Sequence, residues 1–363
     1  MSWQRALAAT ILCLATTAGA ADRLSVVAEL ERAPGNITVT PNHLIIMSLH
    51  QFYAPELRVV ELLANGALSP FPNRHWAEGD ATRHMAFDSV LGLQSDGRGI
   101  VWLLDNGLRN DTTPKLVGWD SRTGSLYRVI HLPPPITADN SFVNDLAVDR
   151  THEHVYIADP AGGDNAALIV VNLETGHARR VLVGHKSVVP KDIDLVIDGD
   201  PVRVKQPDGE IKRPRVGVNP IALDKEDRWL YYGPMHGRSM YRIQTSDLRD
   251  AAISDQVLAS RVERFGEKPI SDGIAIDNAG NIYVSDLTRK AIGVIDNSGA
   301  YRVLVQDERL AWPDAFSFGP DGKLYTVANK LHKSAFLNAG EETAEPPFFV
   351  LKLEPLAPGR VGR

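Results

Sequence analysis

Acidic and amide side chains stand directly in front of short apolar runs at recurring places along this chain. Six of them lead such runs: Asn36, Asp88, Asn144, Asn219, Asp272 and Asp314. Carboxylate and amide oxygens are the ligands that calcium takes, about six to eight at a time. Carboxylates also attract organic cations, and beside a metal they help to activate water. If these residues converge on one axis, they form an oxygen-rich site for a cation or a cationic ligand.

A second set of polar residues closes the apolar run that ends each strand-turn-strand unit. It consists of His50, Asp105, Asp159, His236, Asp286 and Asn329. His50 and His236 are candidate general bases, because an unperturbed imidazole titrates near neutral pH. A competing interpretation is that the Asp and Asn residues of both sets only form turns with their own backbone. The histidines are then hydrogen-bonded loop residues.

The spacing of the leading residues indicates which elements must position them. Successive gaps are 52, 56, 75, 53 and 42 residues, and each unit reads as strand, turn, strand, as in "GIAIDNAGNIYVSD" (273–286). Several short strands repeated every 40–55 residues or so are typical of a β-propeller. We therefore predict an all-β, six-bladed β-propeller. In each blade the first strand lines the channel and the second runs back antiparallel to it, so both polar sets gather at one mouth.

Further segments complete the predicted ring. The last unit lacks a fourth strand, and "RLSVVAEL" (23–30) is predicted to close the ring as the outer strand of the sixth blade. "QVLAS" (256–260) is predicted to be a fourth strand. The long gap before Asn219 holds an insertion, 185–216, which is either a solvated decoration or a lid at one mouth. Residues 357–363 are predicted to be a flexible tail.

Residues 1–20 read as a secretory signal peptide. Arg5 supplies the positive charge, an apolar stretch follows, and Ala18-Gly19-Ala20 fits cleavage near Ala20. We therefore expect an exported protein, periplasmic or extracellular, with a single propeller spanning 21–356. Cys13 is the only cysteine and lies inside the signal peptide, so the exported chain is expected to be stable without disulfides.

Composition narrows the class of partner. The net charge is −6 with 23% charged residues, which does not suggest binding to nucleic acid or to an anionic membrane. No later apolar run is long enough for a membrane span. We expect a small-molecule ligand, no organic cofactor and a monomeric protein.

Longer motifs in this chain resemble a known family. The stretches "PFPNRHW" (70–76), "SVLGLQSDGRGIVWLLDNG" (89–107), "LYYGPMHGRSMYRI" (230–243) and "WPDAFSF" (312–318) resemble the yellow / major royal jelly protein family and occur in family order. The resemblance covers about 24–354 and implies a secreted six-bladed propeller, often with a small-molecule pocket in the channel mouth. Some insect relatives convert dopachrome, some salivary relatives bind biogenic amines, and others are structural or nutritive proteins. Insect members often carry disulfides, so an exported chain without cysteine suggests a bacterial-type member.

The chain is also similar to gluconolactonase-like propellers. Those proteins bind a divalent cation through a Glu, two Asn and an Asp that can also act as base. Asn144, Asn219 and Asp272 match the Asn, Asn and Asp positions, which implies a site for Ca²⁺ or another divalent cation. The Glu position falls near Pro34-Gly35-Asn36, where this chain has no Glu. The loss of one charged ligand is expected to weaken cation binding.

These residues leave four functions open. We favour a binding propeller that holds an amine, an aromatic molecule or a sugar-lactone-like molecule in the polar mouth, with Phe52 or Phe142 stacking on it. The first alternative is a metal-dependent lactone or ester hydrolase in which Asp272 binds the cation and activates water. The second is a dopachrome-type isomerase in which His50 or His236 moves a proton. The third is a structural propeller without catalysis.

Overall fold

The structure is a computed structural model that describes residues 23–79 and 85–363. The predicted signal peptide, 1–20, lies outside the described residues. Six antiparallel four-stranded sheets account for most of the strands in the described part of the chain, which confirms the predicted six-bladed β-propeller.

The strands follow one another blade by blade. The first described strand is β1 (Leu24–Leu30). Blade 1 contains β2 (Pro34–Val39), β3 (Ile45–Leu49), β4 (Val59–Leu62) and β5 (Leu68–Pro70). Blade 2 contains β6 (Val90–Ser95), β7 (Ile100–Asp105), β8 (Lys115–Asp120) and β9 (Ser125–His131). Blade 3 contains β10 (Asp145–Asp149), β11 (His154–Asp159), β12 (Ala167–Asn172) and β13 (Ala178–Val181).

Two small hairpins separate the third and fourth blades. They are formed by β14 (Val196–Ile197), β15 (Asp200–Pro201), β16 (Val204–Lys205) and β17 (Ile211–Lys212). Blade 4 contains β18 (Val218–Leu223), β19 (Trp229–Pro234), β20 (Ser239–Gln244) and β21 (Glu263–Glu267). Blade 5 contains β22 (Ile274–Ile276), β23 (Ile282–Asp286), β24 (Ala291–Ile295) and β25 (Tyr301–Gln306). Blade 6 contains β26 (Pro313–Phe318), β27 (Leu324–Ala328), β28 (Phe348–Leu353) and, outermost, β1.

The predicted ring closure is confirmed by the pairing of β1 with β28. The two strands are antiparallel, with Leu24 opposite Leu353 and Leu30 opposite Phe348. Leu24 and Leu30 are buried, so the closing strand is fixed by apolar packing as well as by backbone hydrogen bonds. Pairing of distant segments inside one blade leaves the ring without an open seam.

One predicted strand is a helix. The short helices are α1 (Arg74–Glu78), α2 (Thr245–Arg249) and α3 (Asp255–Ser260), and α3 contains "QVLAS". The Ser254 hydroxyl caps α3 by accepting the Val257 N–H at 3.4 Å, and Leu258 is buried beneath it. The fourth strand of blade 4 is β21 instead. Within the described residues, no helix has the length and apolar character needed to cross a bilayer.

The segment 357–363 is not the flexible tail that its Pro and Gly content predicts. Its backbone forms bridges with Asp277 and Phe318 at the turn side of the channel, and Arg363 forms an ion pair with buried Asp227. The prediction of a flexible tail from composition was wrong because the contacts that hold this segment come from residues that are distant in sequence.

Candidate functional site

β-Bulges at the mouth end of the first strands aim side chains into the channel. The pairing of first and second strands shifts register between Pro34 and Ile37 in blade 1, between Val218 and Ile221 in blade 4, and at the matching place in blades 2 and 6. A bulge adds a residue to one strand and thereby changes the direction in which the nearby side chains point. The pocket-lining residues at these bulges are Gly35, Asn36, Leu91, Asn219 and Asp314. Asn144, Asp145 and Asp272 line the pocket from the starts of the first strands of blades 3 and 5, whose pairing has no register shift.

A row of directed hydrogen bonds crosses the floor of this pocket. Asn144 Nδ2 donates to Asn219 Oδ1, and Asn219 Nδ2 donates to Asp272 Oδ1. Trp312 Nε1 donates to the other oxygen of Asp272 at 2.7 Å. The row therefore ends on Asp272, whose two carboxylate oxygens both receive donors.

The other floor acids, Asp145 and Asp314, each have one carboxyl oxygen without a hydrogen-bond partner among the described residues. Asn36 Nδ2 donates to Asp145 Oδ1 at 3.3 Å, and Asn329 Nδ2 donates to Asp314 Oδ2 at 2.7 Å. Asp145 Oδ2 and Asp314 Oδ1 receive no hydrogen bond from the residues that the structure describes. The floor thus presents acceptors and suits a ligand that brings donors or a positive charge.

Two glycines bring the floor residues of neighbouring blades together. A Cβ on Gly273 would lie 2.1 Å from the carbonyl oxygen of Asp314, and one on Gly92 would lie 2.4 Å from that of Asn144. Neither distance is tolerable, so both positions need glycine for close approach. The glycine that follows Asp272 in the sequence therefore packs blade 5 against blade 6.

Burial and mutual repulsion raise the proton affinity of the floor acids. Burial raises the pKa of Asp145 to about 7, and the neighbouring Asp272 carboxylate adds to the shift. Burial raises the pKa of Asp272 to about 6, although hydrogen bonds from Trp312 and Asn219 oppose that shift. Burial and the charge of Asp272 raise the pKa of Asp314 well above its usual value. The charge of Asp272 thus raises the pKa values of the other two acids, and the charge of Lys268 lowers the pKa of Asp272 without cancelling the effect of burial.

Asp88, a predicted rim ligand, does not lie in the pocket. Its carboxylate accepts the backbone N–H groups of Arg109 at 2.9 Å and Asn110 at 3.2 Å, so it holds a loop. In blade 2 the floor position belongs to Leu91, because Val90 and Leu93 flank the bulge there. Aligning Val90-Leu91-Gly92-Leu93 with Val218-Asn219-Pro220-Ile221 would have revealed this in the sequence.

His50 and His236 line the pocket, and each ring accepts a backbone N–H through Nδ1. His50 Nδ1 accepts the Phe52 N–H at 3.2 Å, and His236 Nδ1 accepts the Val216 N–H at 3.1 Å, so in each neutral ring the proton lies on Nε2. Burial lowers the pKa of His50 to about 3 and that of His236 to about 4. His236 Nε2 is buried without a partner among the described residues. This geometry supports donation to a ligand oxygen and opposes the role of general base.

The other strand-end residues of the second set hold loops. Asp105 accepts the N–H groups of Asp88 and Ser89 and forms an ion pair with Lys115 at 2.7 Å. Asp159 accepts the N–H of Phe142 at 2.9 Å, and Asp286 accepts the hydroxyl of Tyr301 at 2.7 Å. The bonds of Asp105 and Asp159 satisfy backbone donors just before the first strand of their blade, whereas Asp286 ties the second strand of blade 5 to the fourth.

The insertion lies over the mouth and forms part of the pocket. Leu195 and Val202 are buried in an apolar cluster that also contains Trp312 and Leu337. The insertion is fastened to the loop between β27 and β28 of blade 6, because Arg203 donates its N–H to the Leu337 carbonyl at 3.1 Å and accepts the Ala339 N–H at 2.9 Å. Of the two interpretations of 185–216, the structure therefore shows the lid.

Apolar and aromatic side chains form the walls of the cavity, whose volume is about 270 Å³. Phe52 stands between Phe336, with ring centroids 4.1 Å apart, and Phe142, at 6.4 Å. Phe336 is 49% exposed and marks the opening of the pocket. The volume lies near the lower end of the range for small-molecule sites.

Lys268 is a site residue that the sequence analysis missed. Its ammonium donates to the carbonyls of Gly237 and Pro269, each at 3.0 Å, and to the Ser271 hydroxyl at 3.1 Å. It thereby ties the loop that carries His236 to the segment that carries Asp272. Burial lowers the pKa of Lys268 to about 7. A lysine in a loop resembles a surface residue in the sequence, so no local signal marks it.

The sequence of this chain is similar to those of known proteins. A family model described as "Major royal jelly protein" matches residues 88–344, which is more than half of the chain. Major royal jelly protein 1 of Apis mellifera is 26% identical over 196 residues, covering 50% of this chain and 42% of that protein. Major royal jelly protein 3 of Apis mellifera is 24% identical over 247 residues, covering 64% of this chain and 40% of that protein. The chain thus spans about two fifths of the length of these relatives.

Solved structures share the fold at low sequence identity. A gluconolactonase from Xanthomonas campestris has a TM-score of 0.58 at 14% identity, with 94% of each chain covered. A luciferin-regenerating enzyme has a TM-score of 0.58 at 13% identity, covering 93% of this chain and 97% of that one. The calcium-binding protein regucalcin from Agrobacterium tumefaciens has a TM-score of 0.52 at 14% identity, covering 93% of this chain and 98% of that one. Likeness at this identity shows the propeller fold alone.

Proposed function

This chain belongs to the major royal jelly protein family, and from that premise we propose that it is an exported binding propeller for a small organic cation with an aromatic body. One observation carries the proposal: Asp145, Asp272 and Asp314 lie together on the floor of a pocket whose walls are largely apolar. Burial makes three close carboxyl groups costly to ionise unless a cation joins them. An ammonium group supplies both the charge and the donors.

The walls favour a flat apolar body above that charge. Phe52, Phe142 and Phe336 lie between the floor and the opening, and aromatic rings prefer offset or edge-to-face contact with other rings. The Nε2–H groups of the two neutral histidines favour a ligand that also carries an oxygen acceptor. The proposed ligand therefore has a cationic end for the floor, a ring for the phenylalanines and, where present, an oxygen for His50 or His236.

The proposal is tested by titrating the protein with three matched probes in a calorimeter. Phenethylamine has the ring and the charge, 2-phenylethanol has the ring alone, and butylamine has the charge alone. We expect phenethylamine to bind at least about tenfold more tightly than 2-phenylethanol, because a hydrogen-bonded charge contributes about 1.5–3 kcal/mol. We expect it also to bind more tightly than butylamine, because only phenethylamine buries a ring against the phenylalanines. Equal affinity for phenethylamine and 2-phenylethanol would show that the acids do not select the ligand.

Phe336→Ala is expected to weaken phenethylamine binding by roughly three- to tenfold, since an aromatic pair contributes about 0.5–1.5 kcal/mol. Because Phe336 is 49% exposed, the melting temperature should hardly change. Tyr127→Ala is the matched control: Tyr127 is 50% exposed and packs edge to face against Trp102 in blade 2, outside the pocket. An equal loss of affinity in both variants would contradict a role for the aromatic opening.

A metal-dependent lactone or ester hydrolase is the second candidate, favoured by the row that joins Asn144, Asn219 and Asp272. The donor set does not fit a complete cation site. The fourth position is Gly35, where even a Cβ would lie 2.8 Å from Ser48 Oγ. Asn219 Oδ1 and both carboxylate oxygens of Asp272 already accept hydrogen bonds. Among the described residues no group of three or more His, Cys, Asp and Glu side chains is arranged to hold a metal. No hydrolytic step is therefore assigned to Asp272.

Calcium is expected to leave the melting temperature of the chelator-treated protein unchanged within about a degree. A ligand at a hundred times its Kd stabilises by about 2.7 kcal/mol, which would raise the melting temperature by several degrees. The measurement is a thermal melt in chelator and then in millimolar calcium. A shift of several degrees that disappears in Asp272→Asn would contradict this expectation and favour the hydrolase.

The dopachrome-type isomerase receives less support from the site. Its proton transfer needs an imidazole nitrogen that is free to accept a proton, whereas Nδ1 of both His50 and His236 already accepts a backbone N–H. Burial also keeps both rings neutral near pH 7 with Nε2 protonated. The hypothesis of a purely structural propeller does not explain why three acids cluster on the floor of the pocket.

A further inference from the structure

The segment 356–363 crosses the channel at the end opposite the pocket and touches every blade. Leu356 donates its N–H to the Tyr283 hydroxyl at 2.5 Å, and the Pro358 carbonyl accepts the Asn278 N–H at 2.8 Å, both in blade 5. Gly362 contacts blade 6, because its N–H donates to the Phe318 carbonyl at 2.9 Å. The other four blades are reached through Gly362 and Arg363.

Gly362 connects the segment to blades 1 and 2. Its carbonyl accepts the Thr38 hydroxyl at 3.0 Å, and a Cβ added to it would lie 2.3 Å from the Ser95 carbonyl oxygen. Its φ of +89° lies in the region that glycine adopts readily. Glycine is therefore required here both for backbone conformation and for contact.

Arg363 connects the segment to blades 3 and 4. Its guanidinium donates to the Val148 carbonyl at 2.7 Å and to Asp227 Oδ1 at 2.6 Å. Asp227 is fully buried and also accepts Arg360 Nη1 at 3.0 Å. The two arginines lower the pKa of Asp227 against the effect of its burial, so the ion pair is maintained near neutral pH.

Side-chain hydrogen bonds link four consecutive blades, 6, 1, 2 and 3, near this segment. The Thr38 hydroxyl accepts the Ser95 N–H at 2.8 Å, Gln94 Oε1 accepts the Val148 N–H at 2.7 Å, and the Ser317 hydroxyl accepts the Val39 N–H at 3.0 Å. Each bond joins the first strands of two neighbouring blades. Thr38 belongs to both systems, because the same hydroxyl that receives Ser95 donates to Gly362.

A small closed space separates the segment from the pocket floor. It has a volume of about 20 Å³ and is lined by Asn36, Gln94, Asp145 and Arg363, among other residues. That is room for about one water molecule. The floor residue Asp145 and the Arg363 contact Val148 lie three positions apart on β10, about 10 Å along the strand.

We infer that residues 356–363 form an axial plug that closes the channel opposite the pocket and positions the first strands of all six blades, and with them the floor of the pocket. The pocket is then a cup that opens only beneath the lid. The plug acts on the first strands at their far ends, so it sets the spacing of the floor residues without touching a ligand. The inference does not depend on which ligand the pocket takes.

The test compares Gly362→Ala with Gly209→Ala by hydrogen exchange and thermal unfolding of the full chain. Gly209 has a φ of +88° with nothing within 4 Å of an added Cβ, so its variant measures backbone strain alone. We expect Gly362→Ala to melt several degrees lower than Gly209→Ala. We also expect exchange at least tenfold faster at the amides of Val39, Ser95 and Val148, which bond to neighbouring blades and not to the plug.

Faster exchange confined to Phe318, whose amide bonds directly to Arg363 at 2.7 Å, would show a local anchor and overturn the inference. So would identical behaviour of the two glycine variants. If Gly362→Ala does not fold, Arg363→Met decides, because it removes the bonds to Val148 and Asp227 and leaves the backbone of the plug unchanged. Faster exchange at Ser95 and Val39 in that variant supports the plug, and unchanged exchange there overturns it.

Discussion

Asp272→Asn lowers the affinity for phenethylamine at least about tenfold and changes the melting temperature little. The substitution removes the charge at the end of the Asn144–Asn219–Asp272 row and keeps the side-chain size. A hydrogen bond to a charged group contributes about 1.5–3 kcal/mol, which corresponds to about ten- to a hundredfold in Kd. The new amide can still accept the Trp312 N–H, and the amides of Asn219 and Asn144 can turn over together to restore the row. Calorimetric titration at pH 7.5 measures the effect.

The control for this prediction is Asp88→Asn. Asp88 is 4% exposed and Asp272 is 7% exposed, so both changes are made in a buried carboxylate near the same end of the sheets. Asp88 binds the Arg109 and Asn110 backbone outside the pocket, and its replacement should leave the affinity unchanged. If Asp272→Asn bound phenethylamine with unchanged affinity, the acids of the pocket floor would not contribute to binding. An equal loss in both variants would point to a general loosening of the mouth.

The free energy of unfolding of Asp145→Asn is expected to increase relative to that of the unsubstituted protein as the pH rises from about 4 to about 7. The pKa of Asp145 is raised from 3.8 to about 7 by burial, so the folded protein holds a proton that the unfolded chain has already released. The stability from this group is fully present below the unfolded pKa and is lost as the pH rises through about 7. The loss is on the order of a few kcal/mol, and the uncharged asparagine does not undergo it.

The measurement is denaturant unfolding of both proteins at several pH values, with the difference in free energy of unfolding plotted against pH. The difference is needed because the buried neutral histidines act in the opposite direction. Their pKa values are lowered to about 3 for His50 and about 4 for His236, so their contribution is lost as the pH falls below about 6.5. A pH-independent difference would mean that Asp145 is not perturbed by the pocket.

The same proton balance predicts how ligand binding depends on pH. An organic ammonium favours the ionised floor acids, so its binding releases protons and tightens as the pH rises from about 5 to 7.5. Calorimetry in two buffers with different ionisation enthalpies counts those protons. Binding that is independent of both pH and buffer would contradict contact between the ligand charge and the floor.

The repeat pattern was sufficient to predict the propeller and its closing strand. Alternating apolar residues and turn signals are local properties, and six copies in series restrict the fold to one that stacks sheets in a ring. The alternation in β1 likewise marked it as a strand that needed a partner. "QVLAS" was assigned wrongly because five residues with mixed apolar character fit a strand or a helical turn equally well. Its helix is decided by the Ser254 cap and by burial of Leu258 against blades 3 and 4.

The candidate site was predicted only in part. The structure brings Asn36, Asn144, Asn219, Asp272 and Asp314 into one pocket together with His50 and His236, and it places Asp88 elsewhere. A shift of a few residues in the choice of the leading position was enough to lose the blade 2 residue, because bulges set which side chain turns into the channel.

The sequence by itself determined the number of blades, the strand that closes the ring and the kind of polar group that each first strand carries to the mouth, because these follow from local periodicity and residue type. Only the tertiary structure decided which polar groups face one another, that the insertion covers the mouth, and that 356–363 closes the far end of the channel. Those outcomes depend on contacts between residues that are distant in sequence, such as Arg363 with Asp227 and Trp312 with Asp272. Local pattern carries no information about such pairs, because a buried ion pair and a solvated charge use the same residues.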